Sequence, residues 1–182
     1  TYIEYVTSHV KLEKSLRIVI DTGNGSAGLF APQLFRELGC EVIELYTEPD
    51  AKFPNHVPDP EAPQNMVDLG KKVVEEKADL GLGFDADGDR VGFVDEKGEL
   101  VSADLPILLF SRDALKRNPG KKILFDTKCS QLLEELIPTY GGVPVMHRTG
   151  HAPIKETMRK DLDVIFAGEV SGHFFFAENY FK

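Results

Sequence analysis

Three aspartates alternate with small residues in the segment Gly83-Phe84-Asp85-Ala86-Asp87-Gly88-Asp89-Arg90, which lies between two apolar runs. In an extended segment alternate side chains point the same way, so Asp85, Asp87 and Asp89 can converge on one point while Ala86 and Gly88 take up no room. Convergent carboxylates repel one another, which raises at least one pKa or splays the loop unless a cation sits among them. Hard oxygen ligands of this kind suit Mg²⁺ or Ca²⁺. Asp-x-Asp-x-Asp also opens an EF-hand loop, and Glu96 falls at its last ligand position. The position that needs Gly for the sharp turn is Arg90, however, and the flanks read as strands rather than helices. Two readings remain: a solvated acidic turn, since Asp and Gly are plain turn formers, and a Mg²⁺ site holding a phosphate, with Arg90 facing the same anion.

Further polar clusters each follow an apolar run: Asp126, Lys128 and Ser130; Arg148, Thr149 and His151; Glu169, Ser171 and His173. Their positions predict one shared ligand-facing edge of a sheet. Gly23-Asn24-Gly25-Ser26-Ala27-Gly28 matches G-x-G-x-x-G literally, and Glu44 follows at the end of the next apolar run, so a dinucleotide fingerprint competes with a strand-to-helix turn built for packing. His56 lies in a proline-rich stretch and reads as a surface-loop histidine rather than a site residue.

The elements that must position these residues follow a βα rhythm. Residues 17–21 form a β-branched run, and Leu29, Phe30, Leu34, Phe35 and Leu38 then recur at helical spacing up to a closing Gly39. Residues 41–45 read as the next strand, completing a βαβ unit. A long loop at 46–63 carries prolines at 49, 54, 58, 60 and 63. Residues 61–77 predict an amphipathic helix with Met66, Leu69, Val73 and Val74 on the inner face, and 78–84 a buried strand that delivers the acidic loop at its carboxyl end. A hairpin edge follows at 91–94 and 100–101. The second series predicts helices at 106–116, 131–140 and 151–159, strands at 122–125, 143–146 and 163–167, and an apolar run at 173–177. Ser130 stands where a helix cap is expected. The fold class is α/β: two consecutive βα-type domains with mixed sheets flanked by helices, at residues 1–99 and 100–182.

Composition narrows the partners. A chain of 182 residues buries a real core in one or two domains, and a net charge of −9 argues against a nucleic-acid surface, so any phosphate binding is local. Cys40 and Cys129 lack paired spacing and read as buried, reduced thiols, which predicts a cytoplasmic protein. No apolar run approaches a membrane span, and residues 1–14 are too polar for a signal peptide.

The segment at 83–90 resembles the metal loop of the α-D-phosphohexomutases, and Gly168-Glu169-Val170-Ser171-Gly172-His173 is similar to their sugar-binding loop. Asp126-Thr127-Lys128-Cys129-Ser130, Thr149-Gly150-His151 and Pro54-Asn55-His56-Val57-Pro58-Asp59-Pro60 resemble further motifs of that family. The resemblance covers nearly the whole chain and is nearest to the bacterial phosphomannomutase/phosphoglucomutase group, with phosphoglucosamine mutases as a neighbouring alternative. It implies the second domain and most of the third of a four-domain enzyme that interconverts 1-phospho and 6-phospho hexoses through a phosphoserine and a bisphosphorylated sugar. It further implies Asp85, Asp87 and Asp89 as Mg²⁺ ligands, Arg90 on phosphate, Glu169 and Ser171 on sugar hydroxyls, and Lys128, His151 and His173 as ligand-binding and proton-moving candidates. The partners so implied are a hexose phosphate and flanking domains of the same protein, with no nucleic acid or membrane. No Ser-His-Asn segment, which in the family carries the phosphoserine, occurs here, and the third domain is expected to end early, after the run closing at Phe181. The other function class left open is a nucleotide- or metal-binding module without catalysis of its own.

Overall fold

The computed structural model describes residues 2–177; the expected early end of the second domain, after Phe181, lies outside the described residues. The chain divides into two compact units, Thr1–Val101 and Ser102–Lys182. In the first, helix α1 (Tyr2–His9) precedes β1 (Arg17–Asp21), α2 (Ala31–Glu37), β2 (Glu41–Leu45), α3 (Val67–Glu76), β3 (Leu80–Phe84) and β4 (Val91–Val94). In the second, α4 (Asp104–Arg117) leads to β5 (Lys122–Asp126), α5 (Leu132–Leu136), β6 (Val143–His147), α6 (His151–Lys160), β7 (Val164–Gly168) and β8 (Phe174–Phe176). The sheets repeat one topology: β2-β1-β3-β4 and β6-β5-β7-β8, three parallel strands and an antiparallel fourth. Two α/β units with mixed four-stranded sheets flanked by helices are the architecture expected from the βα rhythm.

The central strands are buried on both faces, so they read as continuous apolar runs rather than alternating ones. Ile18 and Ile20 pack with Ala31 and Leu82 on one face of the first sheet, and Val19 packs with Met66, Leu69 and Val73 on the other. Gly81 and Gly83 let α3 lie close to β3, since a Cβ on either would fall within 2.8 Å of Val73 or Met66. In the second sheet Ile123 and Phe125 pack with Ile107, Leu115 and Phe166, while Leu124 and Ala167 face Ile154. Each fully buried aliphatic side chain here contributes about 1.5–3 kcal/mol.

Several elements differ from expectation. Residues 63–66 form a 3₁₀ turn and α3 begins only at Val67. Its buried face is Met66, Leu69, Gly70 and Val73, because Gly70 sits hard against the Gly98 carbonyl; Val74 is turned to the rim and is exposed, not inward. The helix expected over 131–140 is broken after Leu136 into a 3₁₀ turn at Pro138–Tyr140, where proline has no N–H to continue the ladder. Ser130 does not cap α5 with its hydroxyl; its backbone N–H instead donates to Asp104 Oδ1 at 3.0 Å. Leu100 closes the hairpin through an isolated bridge to Val94 rather than a strand. Helix α1 was not legible in the sequence and buries no residue. Among the described residues no helix is long and apolar enough to cross a membrane.

Candidate functional site

Strand β3 places Asp85 at its carboxyl end, where open α/β sheets bind ligands. Asp85 is 3% exposed, and its carboxylate accepts from the Arg90 backbone N–H (3.1 Å) at Oδ1 and from Arg90 Nε (2.8 Å) at Oδ2. The loop closes tightly: Asp85 N–H donates to the Arg90 carbonyl, and Gly88, at φ +76°, donates back to the Asp85 carbonyl. Burial pushes the Asp85 carboxyl up, but the bonds from Arg90 outweigh it and hold the group below the usual carboxylate range. Asp87 is displaced upward by the charge of Asp89 and then of Asp85. One carboxylate oxygen from each of Asp85, Asp87 and Asp89 lies within 4.8 Å of the others. Ligands about 2.0–2.6 Å from a Mg²⁺ or Ca²⁺ ion span such separations. The donor set and the mutual repulsion felt by Asp87 both fit a hard divalent cation.

Arg90 does not stand as an open fork. Its Nη1 donates to Asp59 Oδ1 at 3.1 Å, so two of its nitrogens are engaged by carboxylates of its own unit. Asp59 lies in the proline-rich loop and carried no chemical assignment in the sequence; its only signal there was an acid between two prolines, in a motif shared with the resembling family. The same loop overturns the reading of His56 as a surface residue. Its side chain is only 15% exposed, and its Nε2 lies 3.0 Å from Oδ2 of the buried Asp21.

The glycine-rich turn at 23–28 is filled by its own chain. A Cβ on Gly25 would fall 2.7 Å from the Ala86 carbonyl, one on Gly23 2.8 Å from Pro58 Cβ, and one on Gly28 would collide with the Thr47 carbonyl. Ser26 donates to the Ala86 carbonyl through both N–H (2.8 Å) and Oγ (3.1 Å). The turn therefore buttresses the acidic loop, and no cradle is left for a pyrophosphate.

In the second unit the expected residues follow β5, β6 and β7, three adjacent parallel strands, and so share the carboxyl edge of one sheet. Glu169, immediately after β7, is 1% exposed. Its Oε1 accepts from the Gly150 N–H at 2.6 Å, and His173 Nδ1 lies 3.3 Å from Oε2 and 2.9 Å from Ser171 Oγ. Gly150, at φ +127°, precedes α6, whose first residue His151 brings its ring 5.9 Å from that of His173. Asp126, fully buried at the end of β5, accepts from Thr149 Oγ1 (3.2 Å) and Cys129 Sγ (3.1 Å). Cys129 is thus a half-buried donor rather than a buried apolar filler; burial first, then Asp126, pushes its thiol well up. Lys128 lies on the exposed turn after β5.

Residues 1–98 match the family model for phosphoglucomutase/phosphomannomutase, alpha/beta/alpha domain II, and residues 103–182 match that for domain III. The chain belongs to the phosphoglucomutase/phosphomannomutase family. It is 50% identical to the phosphomannomutase/phosphoglucomutase of Pseudomonas aeruginosa over 99% of its own length. It is 45% identical to a phosphoglucomutase of Neisseria gonorrhoeae over the same share. A phosphoglucomutase/phosphomannomutase family protein from Burkholderia thailandensis superimposes with a TM-score of 0.96 at 42% identity, covering 99% of this chain and 39% of that one. The chain spans about 39% of the length of these curated relatives. Both loops therefore belong to phosphoglucomutase/phosphomannomutase middle domains.

Proposed function

We propose that this chain is the central portion of a Mg²⁺-dependent phosphohexomutase that interconverts 1-phospho and 6-phospho hexoses of the mannose and glucose type. The observation that carries the reading is the pairing, in one chain of this family, of a convergent Asp85–Asp87–Asp89 loop with a Glu169–Ser171–His173 loop. The phosphoryl group passes from a phosphoserine to the sugar, and the other phosphate returns to the serine after the bisphosphorylated sugar turns over. Phosphoryl transfer needs positioning and charge neutralisation more than covalent help from side chains. A divalent ion held by Asp85, Asp87 and Asp89 would supply neutralisation of phosphate charge. Arg90, braced by Asp85 and Asp59, keeps Nη2 for a phosphate oxygen. Glu169 and Ser171 bind two neighbouring sugar hydroxyls, which both orientations of the sugar present; to do so Glu169 exchanges its internal bond to Gly150 or shares the second lone pair of each oxygen. His173, whose Nδ1 lies against Glu169 and Ser171, together with His151 and Lys128, binds the ligand and supplies the group that moves the proton of the reacting hydroxyl.

The test is a coupled glucose 6-phosphate assay with glucose 1-phosphate as substrate. In a complete enzyme carrying these domains, Glu169→Gln lowers kcat/KM about 10- to 100-fold, the worth of a hydrogen bond to a charged acceptor. Unchanged kcat/KM rules out the sugar-binding role. The 182-residue chain alone shows no turnover, because a phosphoryl carrier that is not held in place forfeits about 7–11 kcal/mol of proximity. Turnover near the full-length rate would place the carrier within these residues.

A further inference from the structure

The loop at 46–63 is fastened to the rest of the first unit through Asn24, which bonds Tyr46, Glu48, Asp50 and Asn55, through Arg90 on Asp59, and through His56 on Asp21, and the last of these carries a titratable ring in an unusual setting. Both nitrogens of His56 face acceptors: Nε2 lies 3.0 Å from Asp21 Oδ2, and Nδ1 lies 2.9 Å from the Val57 carbonyl. A neutral imidazole has one N–H and can satisfy only one of them; the imidazolium satisfies both. Asp21 is 1% exposed, and its other oxygen accepts from the Gly23 N–H at 2.8 Å. Removing the proton therefore leaves one of the two acceptors without the ring as its donor: with the remaining proton on Nε2 the bond to Asp21 is kept and the one to the Val57 carbonyl is lost. The remaining groups around the ring act the same way. Tyr46 stacks edge-on at 5.6 Å and donates to Asp68, whose charge also faces the ring and which is itself paired with Lys71.

From that ring a hydrogen-bonded path runs to the acidic loop. The Val57 carbonyl that accepts from His56 also accepts from the Asp59 N–H at 2.8 Å. Asp59 Oδ1 accepts from Arg90 Nη1 at 3.1 Å, and Arg90 Nε donates to Asp85 at 2.8 Å. Pro58 and Pro60 flank Asp59 and fix their own φ, while restricting the residues before them, so the segment moves as a stiff piece rather than absorbing a change locally. Gly23 lies against Pro58 and the His56 ring, where a Cβ would fall 2.8 Å from Pro58 Cβ and 3.1 Å from His56 Cε1.

We propose that His56 is a positioning residue for Arg90: as an imidazolium it bonds Asp21 and the Val57 carbonyl together and so holds Asp59 against the guanidinium, and on deprotonation it releases one of the two and the hold of Asp59 on Arg90 loosens. The inference concerns the first unit alone and does not depend on the substrate. His56 touches none of Asp85, Asp87 and Asp89.

The test is nuclear magnetic resonance of the chain across pH 5–9 (on the order of the range in which imidazoles titrate), reading the His56 ring and the Arg90 Nε–H cross-peak together. The expected result is a His56 midpoint above the ordinary value of about 6.5, with the Arg90 signal shifting at the same midpoint. In His56→Gln the Arg90 signal loses that pH dependence. In Asp59→Asn the His56 ring still titrates, but the Arg90 signal no longer follows it. A His56 midpoint at or below the ordinary value overturns the proposal, as does an Arg90 signal that stays flat through the His56 titration in the unmodified chain. A structural histidine with no link to Arg90 would give that second result.

Discussion

The loops after β3 and β7 stand at equivalent places in two sheets of the same strand order. Each begins with an acid buried at the strand end, Asp85 or Glu169, whose N–H donates to the carbonyl of a basic residue, Arg90 or His173. In each, a glycine three residues on, Gly88 or Gly172, takes a positive φ and donates back to the acid's carbonyl. The backbone frame is shared and the chemistry is not. The first loop adds Asp87 and Asp89 and closes with a permanent cation; the second adds a hydroxyl and an imidazole and leaves a single carboxylate. On the proposed reading the three carboxylates would hold a metal ion, and the single carboxylate with its hydroxyl and imidazole would bind a polyol. What differs between the two loops is the side chains grafted on a repeated turn.

The basic partner is where the two loops should break most unequally. Arg90→Ala leaves Asp85 buried without its cation and is expected to cost about 3–5 kcal/mol in urea unfolding followed by circular dichroism. His173→Ala costs less, about 1.5 kcal/mol, because Glu169 keeps the Gly150 N–H. Equal losses would mean that the two acids are held in the same way.

The turn glycines probe the shared frame instead. Gly88→Ala and Gly172→Ala each force a left-handed residue and should each destabilise by about 1–2 kcal/mol. Gly88→Ala lies at the upper end, since its Cβ would approach Ala27 Cβ to 3.1 Å. A neutral Gly172→Ala would separate the turns.

The pH dependence of stability gives the smallest effect and belongs to the first unit. The folded pKa of Asp85 lies below its unfolded value, so its contribution is present above about pH 3.9 and is lost as pH falls through the folded value. The folded pKa of His56 is raised, by the bond to Asp21 against the opposing effect of burial. Its contribution is therefore complete below about pH 6.5 and is lost as pH rises through the folded value. Urea midpoints measured across that range should fall in the unmodified chain and lie flat in His56→Gln; a parallel fall in both would assign the titration to another group.

The βα rhythm and the clustering of polar residues at strand ends were legible because buried parallel strands read as apolar runs and their polar residues fall at the carboxyl ends. Asp85, Asp87 and Asp89 were legible because alternation is a local property. What escaped the sequence is long-range. Nothing local marks Asp59 as the partner of Arg90, 31 positions away, or Asp21 as that of His56, 35 away. Nor does spacing show that Gly25 yields to the Ala86 carbonyl rather than to a phosphate. Val74 misled because helical periodicity defines a face only to within a residue, and the contact of Gly70 with Gly98 rotated it.

The most direct test of the division of labour between the two loops is calorimetric titration of Mg²⁺ and Mn²⁺ into the chain and two variants. Asp87→Asn removes a carboxylate from the first loop and should weaken binding at least about tenfold, the least expected for losing one charged oxygen ligand. Glu169→Gln removes the one carboxylate of the second loop and should bind as the unmodified chain does. Equal binding by Asp87→Asn, or an equal loss in Glu169→Gln, would contradict the assignment of the cation to the loop after β3.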